Sequence, residues 1–231
     1  MSDAVAETGK TAAVASEGRP LTIALPAGRL AEESIDFFAR AGLAEFQLPK
    51  GGRSLTFLDS TGRYQILLVR SQDVPTYVLQ GGADAGITGR DVLAEGGYDL
   101  TVPLELTFGY CRLSLAALAK DVADLKSQPH LKVATKYPRL AQDFFFRNGM
   151  SCEVIKLHGS IEIAPVLGMA DCIVDLVSTG GTLKANGLVE MDTILESSAV
   201  LVVNRAAYAL QTGRINLMIG RFREALRELD T

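Results

Sequence analysis

From Leu21 onward the chain alternates two kinds of segment. Short apolar runs bounded by turn residues predict buried strands, and stretches with apolar residues every three or four positions predict helices lying on them. LTIALP (21–26) is the first run, ended by the turn Pro26-Ala27-Gly28. Leu30, Ile35, Phe37, Phe38 and Leu43 then mark a helix that stops near Gly42, a residue suited to a C-cap. SLTFLDS and YQILLVR, separated by Thr61-Gly62, predict a hairpin. A helix from Val74 to Gln80 tolerates Pro75 in its first turn. ADAGITG is strand-like and leads into a helix from Arg90 to Glu95, after which LELTFGYCRLSLAAL predicts one or two longer strands.

The second half repeats the alternation. LKVATK, CEVIKLH and DCIVDLV predict strands, YPRLAQDFFFRNG a helix with Leu140, Phe144 and Phe145 inward, and SIEIAPVLGM a short helix. At the end, Ile215, Met218, Ile219, Phe222, Leu226 and Leu229 fall on one face of an amphipathic helix. The expected class is α/β with mostly parallel sheets. Two comparable units, before and after about Pro103, predict two lobes with a cleft between them.

Composition narrows the functional classes. The 231 residues are 48% hydrophobic and 22% charged, which excludes global disorder. Residues 1–20 mix Ala, Ser, Thr and both charge signs without an apolar stretch, so they are expected to form a flexible arm rather than a signal peptide. With 23 Lys plus Arg against 27 Asp plus Glu, the net charge of −4 argues against general nucleic-acid binding, which needs a basic surface. Small polyanions need only a local cluster of cations. Three cysteines without CxxC spacing, and two histidines outside any ligand pattern, point away from disulfides and zinc and toward a reducing cytoplasm. No apolar run reaches the roughly 18 residues of a membrane span.

The segment with the strongest chemical signal is IVDLVSTGGTLKANGL. An apolar strand ends at Val177, and Ser178, Thr179, Gly180, Gly181 and Thr182 then open a predicted helix. Small residues let successive backbone N–H groups converge on an anion, and hydroxyls add donors to phosphate oxygens. Asp175, just before the loop, is placed to accept bonds from ribose hydroxyls. The competing reading is an ordinary Gly-Gly turn with Ser or Thr capping the helix. Neither a Walker A loop nor GxGxxG is present, and the Gly-Lys-Thr at 9–11 lacks the preceding glycine.

Arginines form the second signal. Arg29 and Arg70 follow predicted strand ends, where α/β ligand clefts lie, and their forks suit phosphate oxygens. Lys50, Arg53 and Arg63 extend the basic stretch, with Arg63 reading as ordinary surface charge. In GITGRDVL, Asp91 sits in a first turn as a cap, a cleft residue or both; in HGSIEIAP, Ser160 is a candidate N-cap and Glu162 a first-turn acid. Cys111 reads as a small buried apolar group.

Together IALPAGRLAEES, LLVRSQDVPTYVLQGGADAGITGRDVL, FGYCRLSLA, ATKYPRLAQDFF and GSIEIAPVLGMADCIVDLVSTGGTLKANGL resemble the ATP phosphoribosyltransferase family, and they cover nearly everything from Leu21 to Arg205. The resemblance implies two α/β lobes like type II periplasmic binding proteins: lobe I from 21–106 plus 199–231, and lobe II from 107–198. It implies transfer of the 5-phosphoribosyl group of phosphoribosyl pyrophosphate to N1 of ATP, the first step of histidine biosynthesis. Asp175, Ser178, Thr179, Gly180, Gly181 and Thr182 would hold the donor, Arg29 and Arg53 the pyrophosphate and ATP phosphates as catalytic groups, and Arg70, Asp91, Cys111 and Glu162 the nucleotide. Mg²⁺ would travel with the phosphates. The chain resembles the short form, which implies a homodimer in a cytoplasmic hetero-octamer with a regulatory subunit similar to histidyl-tRNA synthetase. The chain departs from the family where Ala27 stands at a position often occupied by Lys. The alternatives are a solute-binding protein of the same architecture, and a nucleotide-sensing regulator without turnover.

Overall fold

The computed structural model describes residues 18–46, 54–125 and 127–229. In chain order the elements are β1 (Leu21–Pro26), α1 (Arg29–Arg40), β2 (Thr56–Leu58), β3 (Tyr64–Val69), α2 (Val74–Leu79), β4 (Ala85–Gly89), α3 (Arg90–Gly96), β5 (Thr101–Glu105) and β6 (Cys111–Leu118). They continue as α4 (Val122–Leu125), β7 (His130–Thr135), α5 (Pro138–Arg147), β8 (Ser151–Lys156), α6 (Ile163–Val166), β9 (Cys172–Val177) and α7 (Gly181–Ala185). The chain closes with β10 (Leu188–Ser197), β11 (Ala199–Val203), α8 (Arg205–Leu210) and α9 (Thr212–Leu229). Of the expected arm, residues 1–17 lie outside the described residues, as does Arg53. Arg19 is pinned: its guanidinium forks onto Asp84 at 2.7 and 2.8 Å.

The strands make two sheets, ordered β2-β3-β1-β4-β11-β5 and β10-β6-β9-β7-β8. The α/β class and two lobes are as expected, but the sheets are not mostly parallel. Only β1 with β3 and β4, and β7 with β8 and β9, pair parallel; the other pairings are antiparallel. The cause is a double crossing. The chain leaves the first sheet after β5, builds the whole second sheet, and returns as β11 running against β4 and β5. LELTFGYCRLSLAAL is therefore two strands, parted by the outward crossing. The two crossings are hydrogen-bonded to each other, Leu106 N to Ala199 O at 2.8 Å and Ala199 N to Phe108 O at 3.0 Å.

This connectivity sets where a ligand can sit. β1, β3 and β4 run parallel, so their carboxyl ends, Pro26, Val69 and Gly89, lie on one side. Gly89 pairs with Ala199, at the return crossing. In the second sheet Val177 pairs with Arg112, and Cys111 with Ser197, so the carboxyl ends of β9 and β10 lie beside the outward crossing. Strand ends from both sheets thus face one cleft, the general ligand position in open α/β sheets.

α1 and α9 cover one face of the first sheet through Phe37, Phe38 and Phe222, while Val74 and Val78 of α2 pack on the other. The Phe222 ring lies 4.9 Å from that of Phe37 and 4.8 Å from that of Phe38. Leu229, expected on the docked face of α9, is 49% exposed because the helix runs past its support. In the second sheet Phe145 is buried and Phe144 packs against the core, while Phe146 turns outward, as successive helical positions must. Phe222→Ala removes the ring common to both contacts and leaves a cavity. It is expected to cost about 3–5 kcal/mol, read as a lowered urea midpoint with unchanged slope.

Candidate active site

The loop after β9 is where the sequence signal was strongest. Gly180 adopts φ +77°, a left-handed conformation that glycine enters without Cβ strain. It occupies the cap position of α7 with no side-chain bond. Ser or Thr capping, the competing reading, is therefore not realised, and Ser178, Thr179 and Thr182 are exposed. α7 is only five residues long, so the polar groups on offer here are chiefly the loop's own N–H and hydroxyl groups. Its first residue is braced from below. Arg112 forks onto Glu190 through Nε and Nη2, both at 2.5 Å, Ser114 Oγ donates to the same carboxylate at 2.7 Å, and Arg112 Nη1 donates to the Ser178 carbonyl at 3.4 Å. Arg112 holds Glu190 below the usual carboxylate range.

Asp175 lies on β9 two residues before the strand ends, with its side chain 19% exposed. Its Oδ1 is buried without a hydrogen-bond partner. Lys136 Nζ, at the end of β7, stands 3.9 Å away, outside hydrogen-bond range. Burial raises the Asp175 carboxyl above its ordinary range; the Lys136 charge and the Leu176 N–H pull it back, and the Glu162 charge pushes it further up. Glu162 occupies the cap position of α6. Ser160, expected to cap that helix, instead takes a left-handed φ of +50°, the one non-glycine residue among those described to do so, and helix begins only at Ile163.

Across the cleft, Arg29 opens α1, exposed and 3.4 Å from Glu33. Arg70 directly follows β3 and is also exposed. Asp91 differs from both: it is 2% exposed, and each carboxylate oxygen already has a partner. Ser197 Oγ donates to Oδ1 at 2.6 Å and Tyr137 Oη donates to Oδ2 at 2.7 Å. The Asp91 N–H returns a bond to Ser197 Oγ at 3.1 Å. A Cβ on Gly89 would stand 2.1 Å from Asp91 Oδ1, so this carboxylate can fold back over the end of β4 only because residue 89 is glycine. Cys111 is partly buried; burial, then the Asp91 charge, raise its thiol above the ordinary range, against the Ser197 hydrogen bond and the Arg29 charge. A thiol held protonated is no nucleophile at neutral pH.

A cavity of about 430 Å³ lies where the crossings meet the loop, with Arg90, Cys111, Arg112, Ser178 and Ser197 among its walls. Of the residues the sequence singled out, it brings Cys111 and Ser178 together. Asp175 and Glu162 interact from neighbouring elements, and Arg29 acts on Cys111 across the cleft, whereas Arg70 is not among the cavity walls. Lys136, Tyr137, Ser197 and Arg112 escaped sequence reasoning. The first two directly follow the strand in ATKYP, and the rule that ligand groups cluster at strand carboxyl ends would have found them. Among the described residues no three His, Cys, Asp or Glu side chains gather into a metal site.

Residues 70–224 match the HisG family, described as ATP phosphoribosyltransferase. The ATP phosphoribosyltransferase of Leptospira biflexa serovar Patoc is 52% identical over 188 residues, covering 81% of this chain and 92% of the relative. That of Geobacter metallireducens is 46% identical over 202 residues, covering 86% and 95%. Among solved structures, the ATP phosphoribosyl transferase (HisG:HisZ) complex from Thermotoga maritima superimposes with a TM-score of 0.75 at 30% identity, covering 90% of this chain and 99% of that one. The alkanesulfonate-binding protein SsuA from Xanthomonas axonopodis pv. citri matches with a TM-score of 0.56 at 16% identity, covering 91% and 74%, which shows the two-lobed binding-protein fold alone. Identity of this extent over nearly the full length of its relatives, on the same fold, establishes that the chain belongs to the ATP phosphoribosyltransferase family.

Proposed function

We propose that Ser178 to Thr182 and Asp175 hold phosphoribosyl pyrophosphate, and that Arg29 and Arg53 face the pyrophosphate and the ATP phosphates. As a member of its family the protein catalyses the first step of histidine biosynthesis, joining the 5-phosphoribosyl group to N1 of ATP with release of pyrophosphate. The observation that carries the site assignment is the Asp175 oxygen, buried without a partner beside an uncapped loop of exposed hydroxyls. Ribose hydroxyls would give it the donors it lacks, while the loop takes the 5-phosphate.

The chemistry suits a site without a general base. N1 of adenine attacks with an existing lone pair, so no proton has to be removed first. The barrier lies in cleavage of the C1–O bond, where the ribose gains positive character and the pyrophosphate gains negative charge. Arg29 and Arg53 stabilise that charge, and losing one such contact costs about 3 kcal/mol, or a hundredfold in rate. Positioning N1 in line with C1 supplies the rest. Mg²⁺ bound to the donor would neutralise phosphate charge. Arg70, Glu162 and Cys111 line the nucleotide side, the thiol protonated and packing rather than attacking. Asp91 serves that side through the groups it holds. A dimer of this chain joins a HisZ-type regulatory subunit in a cytoplasmic hetero-octamer, a reading supported by the likeness to the HisG:HisZ complex.

The direct test is the absorbance of the phosphoribosyl-ATP adduct on mixing protein, ATP, phosphoribosyl pyrophosphate and Mg²⁺, with and without the regulatory subunit. Adduct in neither mixture refutes the assignment. Thr179→Ala and Gly180→Val, the second forcing a β-branched residue into left-handed backbone, are expected to raise KM for phosphoribosyl pyrophosphate about tenfold, a loss of about 1.4 kcal/mol. Values unchanged in both would remove the loop from the donor site.

Asp175 adds a pH signature. Its carboxyl is raised in the folded state, so ionising it opposes folding. That penalty is absent below the ordinary aspartate pKa of about 3.9 and grows as pH rises through the raised value. Asp175→Asn is therefore expected to melt a few degrees above the parent at neutral pH, an advantage that fades as pH falls toward about 4, while its KM for the donor rises. Parallel melting curves at every pH would contradict this.

A further inference from the structure

Beyond the crossings, the two lobes touch through a second set of bonds, and all of it converges on the start of α5. Tyr137, 3% exposed, belongs to the second sheet's apolar core, yet its hydroxyl reaches Asp91 on α3 of the first lobe at 2.7 Å. The first turn of α5 would otherwise begin with free N–H groups on Arg139 and Leu140, and these are met from the other lobe. Glu95 Oε1 accepts from Arg139 N and Oε2 from Leu140 N, each at 3.0 Å, and Arg139 Nε donates to the Glu95 carbonyl at 2.8 Å. Gln72 Nε2 adds a bond to the Lys136 carbonyl at 3.4 Å. Helix ends are commonly satisfied by local residues; here the helix of one lobe is capped by the other.

The same short segment also aims the donor site. Tyr137 N donates to Thr135 Oγ1 at 2.8 Å, and Thr135 Oγ1 donates to Val174 O on β9 at 2.6 Å. Lys136 lies between these two anchored residues and projects to the opposite face, toward Asp175. Tyr137 is thus fixed to the first lobe through its hydroxyl and, by way of Thr135, to the donor strand through its N–H.

We propose that Tyr137 is a positioning residue for the transfer, its hydroxyl on Asp91 locking the lobe angle at which the donor on the second sheet meets the nucleotide on the first. The proposal rests on the donor assignment above. Tyr137 is buried and its hydroxyl is engaged by Asp91, so its loss separates alignment from binding. The alignment term is large in bimolecular transfer, where small misplacements cost orders of magnitude in rate.

The test is Tyr137→Phe in the full chain, which keeps the ring and removes one oxygen. Turnover of ATP with phosphoribosyl pyrophosphate is expected to fall about tenfold or more, while calorimetric Kd for phosphoribosyl pyrophosphate with Mg²⁺ stays within about twofold of the parent. Amide hydrogen exchange should quicken at 106–110 and 197–199, the crossings, and not in the cores. Combining Tyr137→Phe with Glu95→Gln should cost less than the product of the single effects, since both act on one angle. Turnover within about twofold of the parent overturns the proposal, and so does loss of donor binding in step with turnover, which would make Tyr137 part of the donor site. If Tyr137→Phe fails to fold, Glu95→Gln carries the same comparison alone, and unchanged turnover there overturns it. A parent that binds no phosphoribosyl pyrophosphate refutes the donor assignment instead, a result the variants cannot mimic.

Discussion

The Asp91 carboxylate is held by donors from two places far apart in sequence, a hydroxyl from the end of β10 and one from the start of α5. Both belong to the second sheet, whereas Asp91 stands at the strand ends of the first. An ionisable group this deep is tolerated only when its oxygens are satisfied, so the relative placement of the sheets and the satisfaction of Asp91 are one condition. The shape of the cleft depends on that placement, because its walls are divided between two separately packed cores.

Four cations around the cleft are paired with carboxylates: Arg29 with Glu33, Arg90 with Glu105, Arg112 with Glu190 and Lys136 with Asp175. Pairs exposed to solvent contribute about 0–1 kcal/mol each, so Arg29 and Arg90 can change partners at small cost. Arg112 is different, since the carboxylate it grips also accepts from Ser114 and the guanidinium supports the Ser178 carbonyl. Releasing it would loosen the loop after β9.

Much of this was legible in the residues. The strands LTIALP and DCIVDLV, the hairpin around Thr61-Gly62 and the last helix follow directly from apolar spacing. Asp59 secures the hairpin locally, accepting from Thr61 N at 3.1 Å and Tyr64 N at 2.8 Å, which is why short-range pattern sufficed. β10 was not legible, because register shifts at 190/192 and 193/195 interrupt its alternation of buried and exposed positions. Sheet direction was not legible either, being decided by where the chain crosses rather than by any local preference. In the site, the loop and Asp175 carry a pattern of small residues and a carboxylate at a strand end. Tyr137 and Ser197 carry none: each is an ordinary residue until the fold brings it to Asp91.

β11 lies between β4 and β5, although nearly a hundred residues separate it from β5 in the chain. During synthesis, β5 therefore emerges with no neighbour to pair with, while the second sheet, made from one uninterrupted stretch, assembles first. The early half-sheet must wait with an open apolar slot until Ala199–Val203 leaves the ribosome, and the burial of α9 follows. Such delayed closure of long-range pairs is slow and exposes sticky edges. The first lobe is accordingly the last part of this fold to close, although its strands are the first to be made.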